Sequence, residues 1–172
     1  PRQVAACVQT AYEHDGPVYI KIGMNHEKEY FEDGYVHDVK KSDCLRDGKN
    51  IAVFVTGSIL DEAMKACEML EQNGISVKLI NVTTIKPFNE NEVLDIVKKI
   101  KKIAVIEEHN IYGGLASIIS ETIVYNGLNA RVIPIGLNDT FAGGYGTHAM
   151  VRKVNQLDSI SIYQRLKEAC KE

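Results

Sequence analysis

One short stretch of the chain combines residue types that could do chemistry. Residues 107–110 read Glu-Glu-His-Asn, and a Gly-Gly pair follows shortly after them. Carboxylate and imidazole groups can hold or move protons, and a Gly-Gly turn that opens a helix exposes backbone N–H groups to an anion. The sequence therefore predicts an anion-binding edge with four candidate residues, Glu108, His109, Gly113 and Gly114. The alternative is that the glycines let a helix and a strand pack closely, while the acidic pair caps a neighbouring element or forms an interface.

Other patterns of catalytic or metal-binding residues do not occur in the sequence. It contains no Gly-x-Gly-x-x-Gly after a strand, no Walker loop, no His-Glu-x-x-His helix and no Gly-x-Ser-x-Gly elbow. The five histidines have no ligand spacing, and the four cysteines include no Cys-x-x-Cys pair, which argues against a zinc site and a disulfide framework. Cys7, Cys67 and Cys170 lie among small apolar neighbours, which predicts buried thiols in a reducing compartment, and we expect a cytoplasmic protein.

Regular alternation of strand and helix patterns runs through the second part of the chain. Continuous β-branched and aromatic runs predict strands over 51–56, 76–82, 103–106 and 131–135, with helical spacing between them. Ser58 with Asp61 looks like a capping box at the start of the first of these helices. Two more helices are predicted, near 148–155 and from about 159. This alternation predicts an α/β fold, a three-layer α/β/α sandwich around a mostly parallel sheet.

In the predicted sheet, the candidate residues 107–110 lie at the edge formed by the carboxyl ends of the strands. Residues 107–110 come directly after a predicted parallel strand, and ligands of open α/β sheets bind at the carboxyl ends of the strands. A second Gly-rich loop, residues 141–146, is either a lid over the same edge or a simple corner.

The first fifty residues do not share the alternation. Helical spacing over 4–12, a Gly-Pro turn and an apolar run over 18–22 predict one helix and one strand. A lone strand leaves its backbone edges unpaired, so we expect its sheet to lie upstream of Pro1, in a longer protein. We assign residues 1–23 to the end of an upstream domain, 24–50 to a linker with a possible edge strand at 35–39, and 51–172 to the α/β/α domain.

Composition excludes several classes of protein. The chain has 172 residues, 45% hydrophobic and 25% charged, with 20 basic against 23 acidic side chains. This apolar fraction excludes a disordered chain, and the absence of a basic excess argues against a nucleic-acid binder. The longest aliphatic run, Ile51–Val55, is far shorter than the roughly 20 residues of a spanning helix, so no membrane partner is expected.

Six stretches, in order, resemble transketolase-like, thiamine-diphosphate-dependent enzymes. The first, Asp-Gly-Pro-Val-Tyr-Ile-Lys-Ile-Gly at 15–23, is similar to the last strand of their pyrimidine-binding domain. The others resemble their C-terminal domain: Val-Thr-Gly-Ser at 55–58, Asn-Val-Thr-Thr-Ile-Lys-Pro at 81–87, Val-Ile-Glu-Glu-His at 105–109, Gly-Gly-Leu-Ala-Ser at 113–117 and Ile-Gly-Leu-Asn-Asp-Thr-Phe at 135–141. The resemblance covers essentially the whole chain.

The resemblance implies a mixed five-stranded sheet whose first, antiparallel strand would be residues 35–39. It also implies a homodimer or assembly with N-terminal transketolase domains, and a sugar phosphate as substrate of the full assembly. In this family the N-terminal domain holds the diphosphate and Mg²⁺, and the glutamate that activates the cofactor lies earlier in the pyrimidine domain. We therefore expect this segment alone to bind no thiamine diphosphate or metal and to catalyse nothing. Its expected role is architectural, in dimerisation and in one wall of the active site.

The residues after the 18–22 run depart from the family pattern. Transketolases commonly place an arginine that helps hold the sugar phosphate where this chain has Met24, and Lys21 stands where relatives often carry another arginine. A thioether cannot donate to a phosphate, whereas an Arg–phosphate pair is a strong polar contact. Either Lys21 or His26 compensates, or the acceptor is not an ordinary sugar phosphate.

Three interpretations of the function stay open at this point. The first is the C-terminal part of a transketolase that moves a two-carbon ketol unit between sugars. The second is the matching part of a 2-oxo-acid dehydrogenase beta subunit or of a deoxyxylulose-phosphate synthase. The third is a non-enzymatic binding or assembly module that reuses the fold. The stretches at 16–21 and 107–109 favour the first.

Overall fold

The computed structural model describes residues 1–23 and 27–171. The helices are α1 (Arg2–Glu13), α2 (Leu60–Gln72), α3 (Glu90–Lys99), α4 (Leu115–Tyr125), α5 (His148–Val154) and α6 (Ser159–Lys171). The strands are β1 (Asp43–Arg46), β2 (Ile51–Thr56), β3 (Val77–Asn81), β4 (Lys102–Asn110) and β5 (Arg131–Leu137). None of the described helices is long and apolar enough to cross a membrane.

The five strands form one sheet in the order β1-β3-β2-β4-β5. β1 pairs antiparallel with β3, and the other three pairings are parallel. The prediction of a mixed, mostly parallel five-stranded sheet between helical layers is thus confirmed.

Two apolar layers cover the two faces of the sheet, and β2 contributes to both. Ile51, Val53 and Val55 pack with residues of α2 and α6, whereas Ala52 and Phe54 pack with residues of α3 and α4. Successive side chains of a strand point to opposite faces, so a strand covered on both sides must be apolar throughout. This is the reason that its continuous apolar run could be recognised from sequence.

The predicted edge strand at 35–39 is wrong. The antiparallel edge strand is β1, Asp43–Arg46, whose sequence Asp-Cys-Leu-Arg has little β-strand character. Its pairing with β3 is irregular, with a register shift between Cys44 and Arg46. Strand formation here depends on the neighbouring strand β3, because the local sequence does not favour it.

The segment before the sheet differs from its prediction in one part. Helix α1 forms as expected, but residues 18–22 form no strand in the structure. No side chain of α1 is fully buried, and two of its hydrogen bonds reach the segment before β2: Gln3 donates to Asp43, and Thr10 donates to the His37 carbonyl. The assignment of residues 1–23 to an upstream domain stays a prediction.

Candidate functional site

The two adjacent glutamates of the candidate stretch lie on β4 and do different things. Glu107 is buried, with 3% of its surface exposed, and its carboxylate accepts hydrogen bonds from the backbone N–H groups of Leu115 (2.8 Å) and Ala116 (3.0 Å). These are orphan donors of the first turn of α4, where a negative charge is also favoured by the helix dipole. Glu107 is therefore an N-terminal cap supplied by a neighbouring strand.

This cap determines what the Gly-Gly turn can do. A Cβ at Gly114 would overlap the Glu107 carboxylate, so glycine is required there for close approach. The Gly113 N–H donates to the Ser117 hydroxyl (2.8 Å). Three donors at the start of α4 already have acceptors within the chain. The geometry favours the packing-and-capping alternative, and anion binding by Gly113 and Gly114 stays a prediction.

Glu108 faces the opposite side and forms the centre of a polar cluster, called here the clamp, with Ser58, His148 and Arg152. Its Oε1 accepts from Arg152 Nε (2.8 Å) and lies 2.7 Å from His148 Nε2. Its Oε2 accepts from Arg152 Nη2 (2.8 Å) and from the Ser58 hydroxyl (2.6 Å). A bidentate Arg–carboxylate pair is stronger than a hydrogen bond between neutral groups.

The clamp fixes the charges of Glu108 and Arg152. Desolvation raises the pKa of Glu108, but the hydrogen bonds from Arg152 and Ser58 and the Arg152 charge outweigh it and lower this pKa to about 2. Burial would lower the pKa of Arg152, yet the bond to Glu108 raises it above its ordinary value. At neutral pH the pair is a carboxylate and a guanidinium, with 23% and 11% of their side-chain surfaces exposed.

The clamp connects three parts of the fold. Ser58 follows β2, Glu108 lies near the carboxyl end of β4, and Arg152 and His148 lie on α5. α5 in turn holds the Gly-rich loop, because Asn155, which follows it, exchanges two 3.0 Å hydrogen bonds with the Gly143 backbone. The loop over 141–146 is thereby attached to the carboxyl edge of the sheet.

The cluster contains a serine, a histidine and an acid but does not form a hydrolytic triad. In such a triad the serine hydroxyl donates to the imidazole. Here the Ser58 hydroxyl donates to the carboxylate itself. A carboxylate with a pKa near 2 also cannot act as a proton acceptor at neutral pH. The arrangement is suited to holding α5 on the sheet.

The remaining predicted site residues lie near this edge without joining the clamp. His109 is exposed, and its Nδ1 lies 2.8 Å from the Asn110 carbonyl. Lys21 is exposed and forms no hydrogen bond or ion pair with the described part of the chain. Its segment does reach the clamp, since a Cβ at Gly23 would lie 3.2 Å from the Ser58 Cβ. Met24 and His26, on which the phosphate argument rests, lie outside the described residues.

Sequence reasoning missed three of the four clamp residues. The sequence pattern favours a helix cap at Ser58, but α2 begins with Ile59 in the cap position and no side-chain cap bond. Ser58 and Arg152 are 94 residues apart, and Glu108 and Arg152 are 44 apart. The only local signal is that His148 and Arg152 are four residues apart and so share one face of a short helix.

The described residues do not fit a thiamine diphosphate and Mg²⁺ site. Residues 1–23 and 27–171 contain no group of three or more His, Cys, Asp or Glu side chains that could hold a metal ion. The backbone donors of α4 that could receive a diphosphate are occupied by Glu107 and Ser117.

Comparison with known proteins gives consistent matches. The family described as "Transketolase, C-terminal domain" matches residues 40–159. A "Putative transketolase C-terminal section" of Methanocaldococcus jannaschii is 35% identical over 168 residues, which are 96% of this chain and 52% of that protein. One of the subunits of an apulose-4-phosphate transketolase from Actinobacillus succinogenes is 32% identical over 94% of this chain and 52% of its own length.

A solved structure matches almost the whole chain. It is described as "Split gene transketolase, inactive beta4 tetramer", and it superposes with a TM-score of 0.90 at 25% identity over 99% of this chain and 55% of that one. The chain spans about half the length of the proteins that it matches here.

Proposed function

This chain belongs to the transketolase C-terminal domain family, and on that premise we propose that it is the C-terminal part of a transketolase-like enzyme. The complete enzyme would transfer a two-carbon ketol unit between sugars with thiamine diphosphate. The observation that carries the proposal is the superposition of 99% of this chain on half of a split transketolase, including residues 1–39, which lie outside the family match.

We infer that this segment has an architectural role and no catalytic group of its own. The clamp supports this role, because Glu108 is fully engaged by donors and Glu107 is used to cap α4. At the carboxyl edge, where a substrate would approach, the chain presents a fixed helix and loop as a wall. The solved relative is described as an inactive tetramer of its beta chains, which supports inactivity without a partner.

The exposed apolar residues near the amino terminus support a partner at that end. Val8, Tyr12, Val18, Tyr19 and Ile22 are each between 48% and 88% exposed. A cluster of this kind within one short segment is typical of a surface that a neighbouring domain or subunit covers. We propose that residues 1–23 complete a pyrimidine-binding domain whose remainder belongs to the full enzyme, and that the assembly contains two copies of each part.

Thiamine diphosphate and Mg²⁺ would then be held by the missing domains. When bound there, the cofactor would supply carbanion chemistry for the transfer, and this chain would contribute the adjacent wall. Isothermal titration of the chain with thiamine diphosphate and Mg²⁺ should give no binding heat, whereas tight binding would overturn this part of the proposal. All four cysteines are unpaired in the structure, which supports a reducing, cytoplasmic location.

The reaction itself is tested on the complete enzyme. A ketose phosphate donor with an aldose acceptor should give ketol transfer, whereas a pyruvate-type substrate with a lipoyl acceptor should not react. Turnover of pyruvate instead would assign the chain to a 2-oxo-acid dehydrogenase or a deoxyxylulose-phosphate synthase. An assembled, cofactor-loaded enzyme that turns over neither class would favour the non-enzymatic module.

A further inference from the structure

An exposed apolar surface lies next to the clamp, on the loop that follows β5 and on α5. Phe141 and Tyr145 on the loop are almost completely exposed, and Met150 and Val154 on α5 are more than half exposed. These four side chains are called here the loop surface. Residues 140–151 contain no Asp, Glu, Lys or Arg, although 25% of the chain is charged. Exposed aromatic and methionine side chains in a segment without charge are typical of the centre of an interface.

The loop and one face of α5 form a single surface. His148 and Arg152 point into the clamp, whereas Met150 and Val154 lie two residues further along and so about 200° around the helix, on its outer face. The loop packs on that outer face, because a Cβ at Gly144 would lie 3.3 Å from Val154 Cγ2. Any partner that covers the loop therefore also covers the outer face of α5.

Hydrogen bonds within the chain hold the loop surface in one shape. Asn155 exchanges two hydrogen bonds with the Gly143 backbone, and the Thr147 hydroxyl accepts from the Met150 N–H at the start of α5. A surface that is already ordered loses little conformational entropy when it binds a partner. The two exposed aromatic rings are thus presented on a rigid support.

The loop surface is large enough to bind another folded domain. An aromatic side chain buries about 150–250 Å² when it is covered, so Phe141 and Tyr145 together offer about 300–500 Å². Met150 and Val154 add to this area. Interfaces between domains of one chain bury about 600–1,500 Å² in total, or about 300–750 Å² on each side. The loop surface lies within that range.

The position of residues 18–23 indicates which domain covers the loop surface. A Cβ at Gly23 would lie 3.2 Å from the Ser58 Cβ, and Arg152 Nη2 on α5 donates to the Ser58 hydroxyl at 3.3 Å. A domain that includes residues 18–22 therefore begins two side chains away from α5. A missing half of about 150 residues, by the length of the Methanocaldococcus jannaschii relative, would have a radius of gyration of about 15 Å. A domain of that size, attached at this point, reaches α5 and the loop.

We propose, on the basis of the proposed function, that the loop surface is where the missing part of the pyrimidine-binding domain docks, with Phe141 and Tyr145 inserted into an apolar groove of that domain. The groove carries no ionised side chain, because residues 140–151 offer no counter-charge to a desolvated ion. The clamp, which holds α5 on the sheet, then also keeps the docking surface in place relative to residues 18–23.

Hydroxyl-radical footprinting compares the complete enzyme with the 172-residue chain, since side-chain oxidation follows solvent exposure. Phe141 and Tyr145 should be oxidised at least about fivefold more slowly in the complete enzyme, as expected for the desolvated anchors of an interface. Tyr125 is an exposed tyrosine at the end of α4, at the opposite edge of the sheet, and serves as the matched control. Its oxidation rate should be the same in both samples.

Replacing both Phe141 and Tyr145 by Ser provides a second readout. Because both side chains are exposed in the chain, the double replacement should leave the melting temperature of the 172-residue chain unchanged. In the complete enzyme it should raise the oxidation rate of Met150 to the rate in the isolated chain. The control replacement Tyr125→Ser should leave the Met150 rate in the complete enzyme as it is.

Two results would overturn the docking. One is an equal oxidation rate of Phe141 and Tyr145 in the complete enzyme and in the chain. The other is protection of both rings in the isolated chain that disappears on dilution, since the occupant would then be a second copy. Ketol transfer is assayed separately on the same samples. An active enzyme without protection contradicts only the docking, and a protected loop in an enzyme without transfer contradicts only the proposed reaction.

Discussion

Replacing Glu108 by Gln removes one negative charge from the clamp and keeps nearly the same side-chain shape. The folded protein holds the pKa of Glu108 at about 2, against an ordinary value of 4.5. That difference corresponds to about 3 kcal/mol of preference for the ionised form in the folded state. The variant also leaves Arg152, which is 11% exposed, without its counter-charge, and breaking a pair of this kind typically costs about 3–5 kcal/mol. We expect Glu108→Gln to lower the free energy of unfolding by about 3 kcal/mol at neutral pH.

The pH dependence follows from the direction of the same shift. A carboxyl group whose pKa is lower in the folded state stabilises the fold above pH 4.5 and loses that contribution as the pH falls toward 2. At about pH 3.5, about 2 kcal/mol of this contribution of roughly 3 kcal/mol to the free energy of unfolding should remain. The difference between wild type and Glu108→Gln should therefore shrink by about 1 kcal/mol between about pH 7 and pH 3.5.

Urea unfolding followed by circular dichroism and tyrosine fluorescence measures both effects, since the chain has eight tyrosines and no tryptophan. With a slope of about 2 kcal/mol per molar, the midpoint at pH 7 should fall by about 1.5 M. Glu32→Gln, an exposed glutamate outside the clamp, is the control and should stay within about 0.5 kcal/mol of wild type. The double replacement of Glu108 by Gln and Arg152 by Met should recover part of the loss, because no buried charge is then unpaired.

Two results would refute this reasoning about the clamp. One is a Glu108→Gln variant as stable as the Glu32→Gln control at neutral pH. The other is a loss of stability that does not change between neutral and acidic pH, since the effect would then come from packing and not from charge.

Three further predictions concern the start of α4 and position 24. Glu107→Ala should lower the free energy of unfolding by about 3 kcal/mol in the same urea assay, because two buried N–H groups lose their acceptor, and Glu107→Gln should cost less. Gly114→Ala should cost about 2 kcal/mol through overlap with the Glu107 carboxylate, and combining it with Glu107→Ala should cost less than the sum. In the complete enzyme, Met24→Arg should raise the affinity for a sugar phosphate, measured as a lower KM; an unchanged KM would mean that position 24 does not face the substrate.

The central sheet could be predicted from sequence because its strands are buried on both faces. The predicted and observed bounds of β2, Ile51–Thr56, are identical, because burial on both faces requires an uninterrupted apolar run that is visible in the sequence. The edge strand Asp43–Arg46 could not be placed in this way, because half-exposed edge residues need no apolar run and its pairing is set by β3. The segment over 18–22 shows the opposite case, because its apolar run is typical of a strand but forms none in the structure.

The candidate site could be predicted in part, for a similar reason. The position of residues 107–110 at the carboxyl end of β4 follows from the strand–helix alternation and agrees with the structure. Glu107 and Glu108 have different roles because successive side chains of a strand point to opposite faces of the sheet. The sequence does not show that α4 lies on the Glu107 side and α5 on the Glu108 side. Arg152 comes from a helix 44 residues away, and nothing near Glu108 in sequence indicates it.

The most direct test of the proposed function is an add-back assay. Ketol transfer from a ketose phosphate to an aldose is measured with the thiamine-diphosphate-binding domains of the complete enzyme alone, with this chain alone, and with the two together. The account predicts transfer only from the mixture, with formation of a complex. Full activity from either part alone, or a stable complex that catalyses no transfer, would contradict it.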